Sequence, residues 1–199
     1  MPVITEEYRV QQAALHAACP EYGVASAFFA PAVARIVKDQ GVTELLDYGA
    51  GKGRLGRELA RLLGEACPPM RHYEPAVPEW ASAPAPADMV ACIDVLEHVE
   101  MDCLDDVLED LARVTARLGL FTVHTGPAIK TLPDGRNAHL IQQPAGWWLP
   151  RLFRHFTLTT LLRIPNGFMV VAVPDGASVE PATATARDRD GMSRESPAR

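Results

Sequence analysis

The sequence predicts an α/β domain: a mostly parallel sheet with helices on both faces, a three-layer sandwich whose last strand is antiparallel. Three observations predict it. Leu45-Leu46-Asp47-Tyr48-Gly49-Ala50-Gly51-Lys52-Gly53-Arg54 is an apolar strand that runs through alternating glycines straight into a helix. Asp88-Met89-Val90-Ala91-Cys92-Ile93-Asp94 is a nearly continuous apolar run, as expected of a parallel strand buried on both faces. Segments 158–164 and 168–173 flank Pro165-Asn166-Gly167 and read as a closing hairpin.

The elements follow in order. Residues 31–37 place apolar side chains at helical spacing, and Gly41 stops that helix. Residues 43–47 form the first strand, and 54–63 a helix that buries Leu55, Leu59, Leu62 and Leu63. A second strand ends near Glu74. Residues 102–118 are amphipathic, with Leu104, Val107, Leu108, Leu111 and Val114 on one face. Asp102, Asp105 and Asp106 suit that helix's N-terminal dipole, Arg113 and Arg117 its C-terminal one, and Gly119 closes it. Strand 120–124 and helix 145–156 complete the set before the hairpin.

Composition limits the function. With 199 residues, 48% of them hydrophobic, the chain suits one domain with a real core. A net charge of −6 argues against a broad electrostatic grip on nucleic acid, although Arg151, Arg154 and Arg163 offer a local basic face. The start of the chain carries neither a secretory nor a transit signal, and no segment reaches the length of a membrane span. Cys19, Cys67, Cys92 and Cys103 lack metal-type pairing, so a reducing cytoplasm is expected. Residues 1–24 form an N-terminal segment able to act as a lid, 25–174 the domain, and 175–199 an expected disordered tail.

The glycine loop is a ligand site in its own right. Alternate glycines permit a tight turn and let a ligand touch the main chain, while the helix that follows presents unpaired N–H groups. An acidic residue at the end of the next strand, Glu74, can accept hydrogen bonds from ribose hydroxyls. Gly51-Lys52-Gly53-Arg54-Leu55-Gly56 also satisfies the G-x-G-x-x-G pattern of NAD proteins. The closing hairpin and the lack of room for a substrate domain stand against hydride transfer.

Leu46-Asp47-Tyr48-Gly49-Ala50-Gly51-Lys52-Gly53 followed by Tyr73-Glu74-Pro75 resembles the class I S-adenosylmethionine-dependent methyltransferases. The resemblance covers about residues 25 to 174. It implies a Rossmann-like sheet, with Asp47, Gly49, Ala50, Gly51 and Gly53 around the methionine end of S-adenosylmethionine, Glu74 on the ribose, and Asp94 at the cofactor. One stretch departs from the family. Residues 75–87, which include Pro78, Pro84 and Pro86, are too short for the helix and strand the family places there, so the fold is shortened after strand two. Trp80 or Ala81 then stands in for the missing adenine contacts.

Asp94-Val95-Leu96-Glu97-His98 places two carboxylates and an imidazole at helical spacing, with His139 further on. Such a set can hold Mg²⁺ or Mn²⁺ through mixed oxygen and nitrogen donors. D-x-x-E-H resembles the E-x-x-E-H of ubiquinone-pathway O-methyltransferases and of enzymes that methylate the terminal 2′-hydroxyl of small RNAs. The resemblance implies a metal set of Asp94, Glu97, His98 and His139, with Glu97, His98 and His139 as catalytic candidates. The alternative is a pair, Glu97 and His98, that caps the strand's loop and packs under the cofactor. His124 reads as a pocket wall or base, and Trp147 and Trp148 as core. The expected activity is methyl transfer to a hydroxyl of a small molecule. An RNA-end 2′-O-methyltransferase and a non-catalytic nucleoside- or NAD-binding module are the alternatives.

Overall fold

The computed structural model describes residues 2–20, 22–23 and 25–175; the expected tail, from 176 on, lies outside the described residues. Helices α1 (Glu6–Ala18), α2 (Ser26–Gln40), α3 (Arg54–Leu63), α4 (Leu104–Val114) and α5 (Ala145–Leu152) surround strands β1 (Leu45–Tyr48), β2 (Met70–Tyr73), β3 (Ala87–Ile93), β4 (Thr115–His124), β5 (Phe156–Ile164) and β6 (Gly167–Pro174). The sheet runs β2-β1-β3-β4-β6-β5, parallel from β2 to β4 and antiparallel from β4 to β5. The predicted three-layer fold is thus present.

Alternation along the strands builds two cores. Leu45, Met89, Ala91 and Leu120 pack with Val33, Val37, Leu55 and Leu59 of α2 and α3. Leu46, Val90, Cys92 and Phe121 pack on the other face with α4 and with Trp148 and Leu152 of α5. The predicted α4 face is buried at all five positions. On α3, Leu55, Leu59 and Leu63 are buried, and Leu62 is only partly so. The shortening after strand two is also observed. Between β2 and β3 the chain makes only a 3₁₀ turn at Pro78–Trp80, so β2 is the sheet edge.

Several boundaries differ from the sequence reading. Helix α4 ends at Val114 and not at 118, because Thr115 already pairs with Ala87 and its hydroxyl donates to Leu111 O at 2.7 Å. Arg117 serves no helix dipole: its guanidinium grips Asp88 on β3 at 2.7 and 2.8 Å. Gly119 lies within β4, where a Cβ would come 2.4 Å from the Phe121 ring. Helix α5 stops at Leu152 and β5 starts at Phe156, so the helix predicted to 156 is shorter. Helix α1 had no sequence prediction. Its Thr5 hydroxyl caps Tyr8 N–H at 3.2 Å, and Glu6 and Glu7 occupy its first turn.

Candidate active site

In open parallel sheets, ligands sit beyond the carboxyl ends of the strands. There, under α1, lies a cavity of about 600 Å³. One end is walled by Gly49, Gly51 and Glu74, the other by Asp94, His98 and His139.

The glycine loop is held open from behind. The N–H groups of Gly49 and Ala50 both donate to Tyr73 O, at 2.8 and 3.0 Å, tying the loop to the end of β2. Gly49 and Gly51 have left-handed φ values of 76° and 53°, which L side chains rarely adopt. A Cβ on Gly49 would also lie 2.3 Å from Val95, and one on Gly51 2.7 Å from Gly23 O. Glu74 closes the cradle, its Oε2 accepting from Gly51 N–H at 3.0 Å and its Oε1 from Ala76 N–H at 3.2 Å. Burial pushes the Glu74 carboxyl upward, because only backbone dipoles oppose the loss of solvent.

Asp47, Ala50, Gly53 and Glu97 lie behind the cavity wall. Asp47 is 1% exposed, and its Oδ2 stands 3.5 Å from His72 Nδ1. Neither atom makes a hydrogen bond among the described residues, and burial raises the Asp47 carboxyl despite the neighbouring ring. Trp80 packs against His72, with ring centroids 4.7 Å apart, and within 2.9 Å of where a Cβ on Gly53 would stand. It backs the glycine loop and does not line the cavity.

At the other end, β3 turns sharply at Asp94, a non-glycine residue at φ 52°. Thr122 secures that turn: its hydroxyl donates to Asp94 Oδ1 at 2.6 Å and accepts from Asp94 N–H at 2.9 Å. Glu97, 0% exposed, accepts from His124 N–H at 3.0 Å through Oε1, while its Oε2 has no hydrogen-bond partner among the described residues. Burial, reinforced by Asp94, holds the Glu97 carboxyl well above the usual range. His98 Nδ1 lies 2.7 Å from Ala138 O, and His139 Nδ1 2.7 Å from Gly126 O. Carbonyls only accept, so both neutral rings carry their proton on Nδ1 and keep the Nε2 lone pair free. Burial, with His139 adjacent, pushes His98 down to about 3, and burial lowers His139.

Of the four predicted metal ligands, the structure brings three together: donor atoms of Glu97, His98 and His139 lie within 4.8 Å of one another. Asp94 stands outside that group, its carboxylate engaged by Thr122. His124 joins as a wall, its ring 4.7 Å from that of His139.

The N-terminal segment, with His16 and Tyr22 read from the sequence as able to lid the site, forms the roof, and its contacts are not legible in the sequence. Tyr8, Gln12 and His16 of α1, with Tyr22, line the cavity from above. Lys52, inside the glycine loop, reaches up to cap α1, its Nζ donating to His16 O at 2.9 Å and Cys19 O at 2.7 Å. The legible signal was Thr5-Glu6-Glu7, a helix start, followed by Tyr8 and Gln12 one turn apart.

Neither protein-family models nor curated proteins match the sequence. Solved structures match the fold. A Burkholderia thailandensis 1,6-didemethyltoxoflavin-N1-methyltransferase with bound S-adenosylhomocysteine superimposes at a TM-score of 0.62 and 17% identity, over 87% of this chain and 92% of that one. This chain has the class I methyltransferase fold. A putative O-methyltransferase from Nostoc punctiforme gives 0.56 at 17% identity, over 81% of this chain and 59% of that one. The methyltransferase domain of bacterial CtHen1-C gives 0.53 at 13%, over 73% and 96%. No helix of the described residues is long and apolar enough to cross a membrane.

Proposed function

We propose that the chain is a cytoplasmic S-adenosylmethionine-dependent methyltransferase that transfers a methyl group to a hydroxyl of a small molecule. The observation that carries this reading is the single cavity joining the glycine cradle and Glu74 to His98 and His139. The residues suit the cofactor: Gly49 and Gly51 line the cavity in left-handed conformations that L side chains rarely adopt, Glu74 offers acceptor oxygens for ribose hydroxyls, and the acidic lining of Glu74 and Asp94 matches a cation. Bound there, S-adenosylmethionine supplies an electrophilic methyl on a sulfonium. The chain's own work is alignment and dryness, with α1 as a lid over the reactants.

A hydroxyl acceptor must also lose a proton. His98, its ring pushed down to about 3 by burial, is a weak base for that task, yet a neutral ring with a free Nε2 is what a metal requires. The unpartnered Oε2 of Glu97 beside His98 and His139 therefore fits a divalent cation, with nitrogen donors favouring Mn²⁺ over Mg²⁺. Such an ion would supply a Lewis acid able to lower the acceptor's pKa. Where no ion is held there, His139, which also lines the cavity, is the alternative base. A small molecule is favoured over an RNA end because, among the described residues, Lys130 and no arginine lines the cavity, leaving little to hold phosphates.

The test is a panel of phenols, catechols, ring-nitrogen heterocycles and a short RNA, incubated with S-adenosylmethionine with and without Mn²⁺ and read by mass spectrometry. Methylation of a hydroxyl acceptor is expected, reduced about a hundredfold in His98→Ala and in His139→Ala. Unchanged turnover in both variants would remove the base and metal roles, and methylation of nitrogen acceptors alone would overturn the acceptor.

A further inference from the structure

One buried polar group is left unexplained by that chemistry. Gln12 is 7% exposed in the middle of α1, where an amide without partners would be costly. Both of its ends are bonded. Its Nε2 donates to the Tyr8 hydroxyl, and its Oε1 accepts from the Tyr22 hydroxyl at 2.8 Å. The two tyrosines then meet at one residue. Tyr8 Oη donates to His98 O at 2.7 Å, and Tyr22 Oη lies 3.3 Å from His98 Nδ1.

We propose that Gln12 is a positioning residue for His98, joining two tyrosines that grip that histidine at its backbone carbonyl and at its ring. The donor directions form one consistent set. Tyr22 spends its proton on Gln12, so toward the ring it can only accept, which suits an Nδ1–H shared between Tyr22 and the Ala138 carbonyl. Ala138 itself packs with Tyr8 and Leu15 of α1 in a small cluster separate from the two sheet cores. Both polar partners of His98 Nδ1 thus touch the docked roof, Tyr22 through Gln12 and Ala138 through Tyr8 and Leu15. Supporting shells of this kind orient a ligand or base without touching the reactants.

By contrast, His139 Nδ1 is bonded to Gly126 O, and no hydrogen bond among the described residues joins it to Gln12 or to the two tyrosines, although its ring meets that of His98 edge-on at 4.7 Å. That difference separates positioning from general support. The importance of His98 rests on the function proposed above, but the test reads the ring itself, so absence of cofactor binding would sink that reading and leave this one standing.

The ¹⁵N-labelled full chain is observed by NMR at neutral pH, where an imidazole N–H is visible only if it is shielded from exchange. The His98 and His139 Nδ1 protons and the Trp148 Nε1 proton, bonded to Gln143 O at 3.1 Å, should all be seen. In Gln12→Leu the His98 proton should vanish into exchange while those of His139 and Trp148 persist, and Tyr22→Phe should speed its exchange less. A His98 proton absent from the unmodified chain, or retained in Gln12→Leu, would overturn the assignment. Loss of His98 and His139 together would also overturn it, making Gln12 a support of the roof alone.

Discussion

Helices α4 and α1 are similar in length, 11 and 13 residues, yet they are attached by opposite means. Helix α4 drives Leu104, Val107, Leu108, Leu111 and Val114 into the sheet. Helix α1 buries Tyr8, Gln12 and Leu15, and is otherwise held by discrete polar bonds: Thr5 to Glu100, Tyr8 to His98, and Lys52 to its last carbonyls. Apolar area makes an element inseparable from the fold. An element held by a short set of hydrogen bonds can open while the fold survives.

The largest test of that contrast lies in α4. Leu108→Ala should cost about 2–5 kcal/mol of global stability, visible as a lowered midpoint in urea. A loss confined to the roof would break the comparison.

Acid should act on the roof instead. His16, packed against Gly23 and near Lys52, is held down to about 4 by burial and by that cation. Its folded-state affinity for protons is below that of the unfolded chain, so stability is intact above about pH 6.5 and falls as pH drops toward 4. The difference amounts to about 3 kcal/mol at most. Hydrogen exchange should show α1 opening across that window before the sheet does, and His16→Gln should flatten the response. A pH-independent α1 would contradict the burial of that ring.

Lys52→Met removes two charge-assisted bonds at the C-terminal end of α1. Exchange of α1 amides should rise by about tenfold or more, corresponding to roughly 1.5–3 kcal/mol, with the urea midpoint almost unmoved. The smallest effect belongs to Thr5→Ala, which loses a cap and one bond to Glu100 and should cost α1 about 1 kcal/mol by the same readout.

The same contrast explains what could be read in the sequence. The sheet and its helices were legible because burial imposes periods: the α4 face was predicted residue for residue, and α3 ran from 54 to 63 as expected. The ends of α4 and α5 were not, since Thr115 and Phe156 join strands through partners distant in sequence. Within the site, the positive φ of Gly49 and Gly51 follows from the local glycine pattern, whereas nothing local shows that Asp47, Ala50 and Gly53 fall behind the cavity wall. Glu97, His98 and His139 converge as expected, although nothing local shows that Asp94 is claimed by Thr122. The roof network was invisible for a similar reason. Tyr8 and Gln12 lie on a weakly amphipathic helix, and their meaning comes from Tyr22 and His98.

Calorimetric titration with S-adenosylhomocysteine, with NAD in parallel and each repeated in Mn²⁺, tests the central claim most directly. The account predicts micromolar binding of S-adenosylhomocysteine, no binding of NAD, and loss of the signal in Glu74→Ala while the urea midpoint holds. Binding of NAD alone, or of neither, would contradict it.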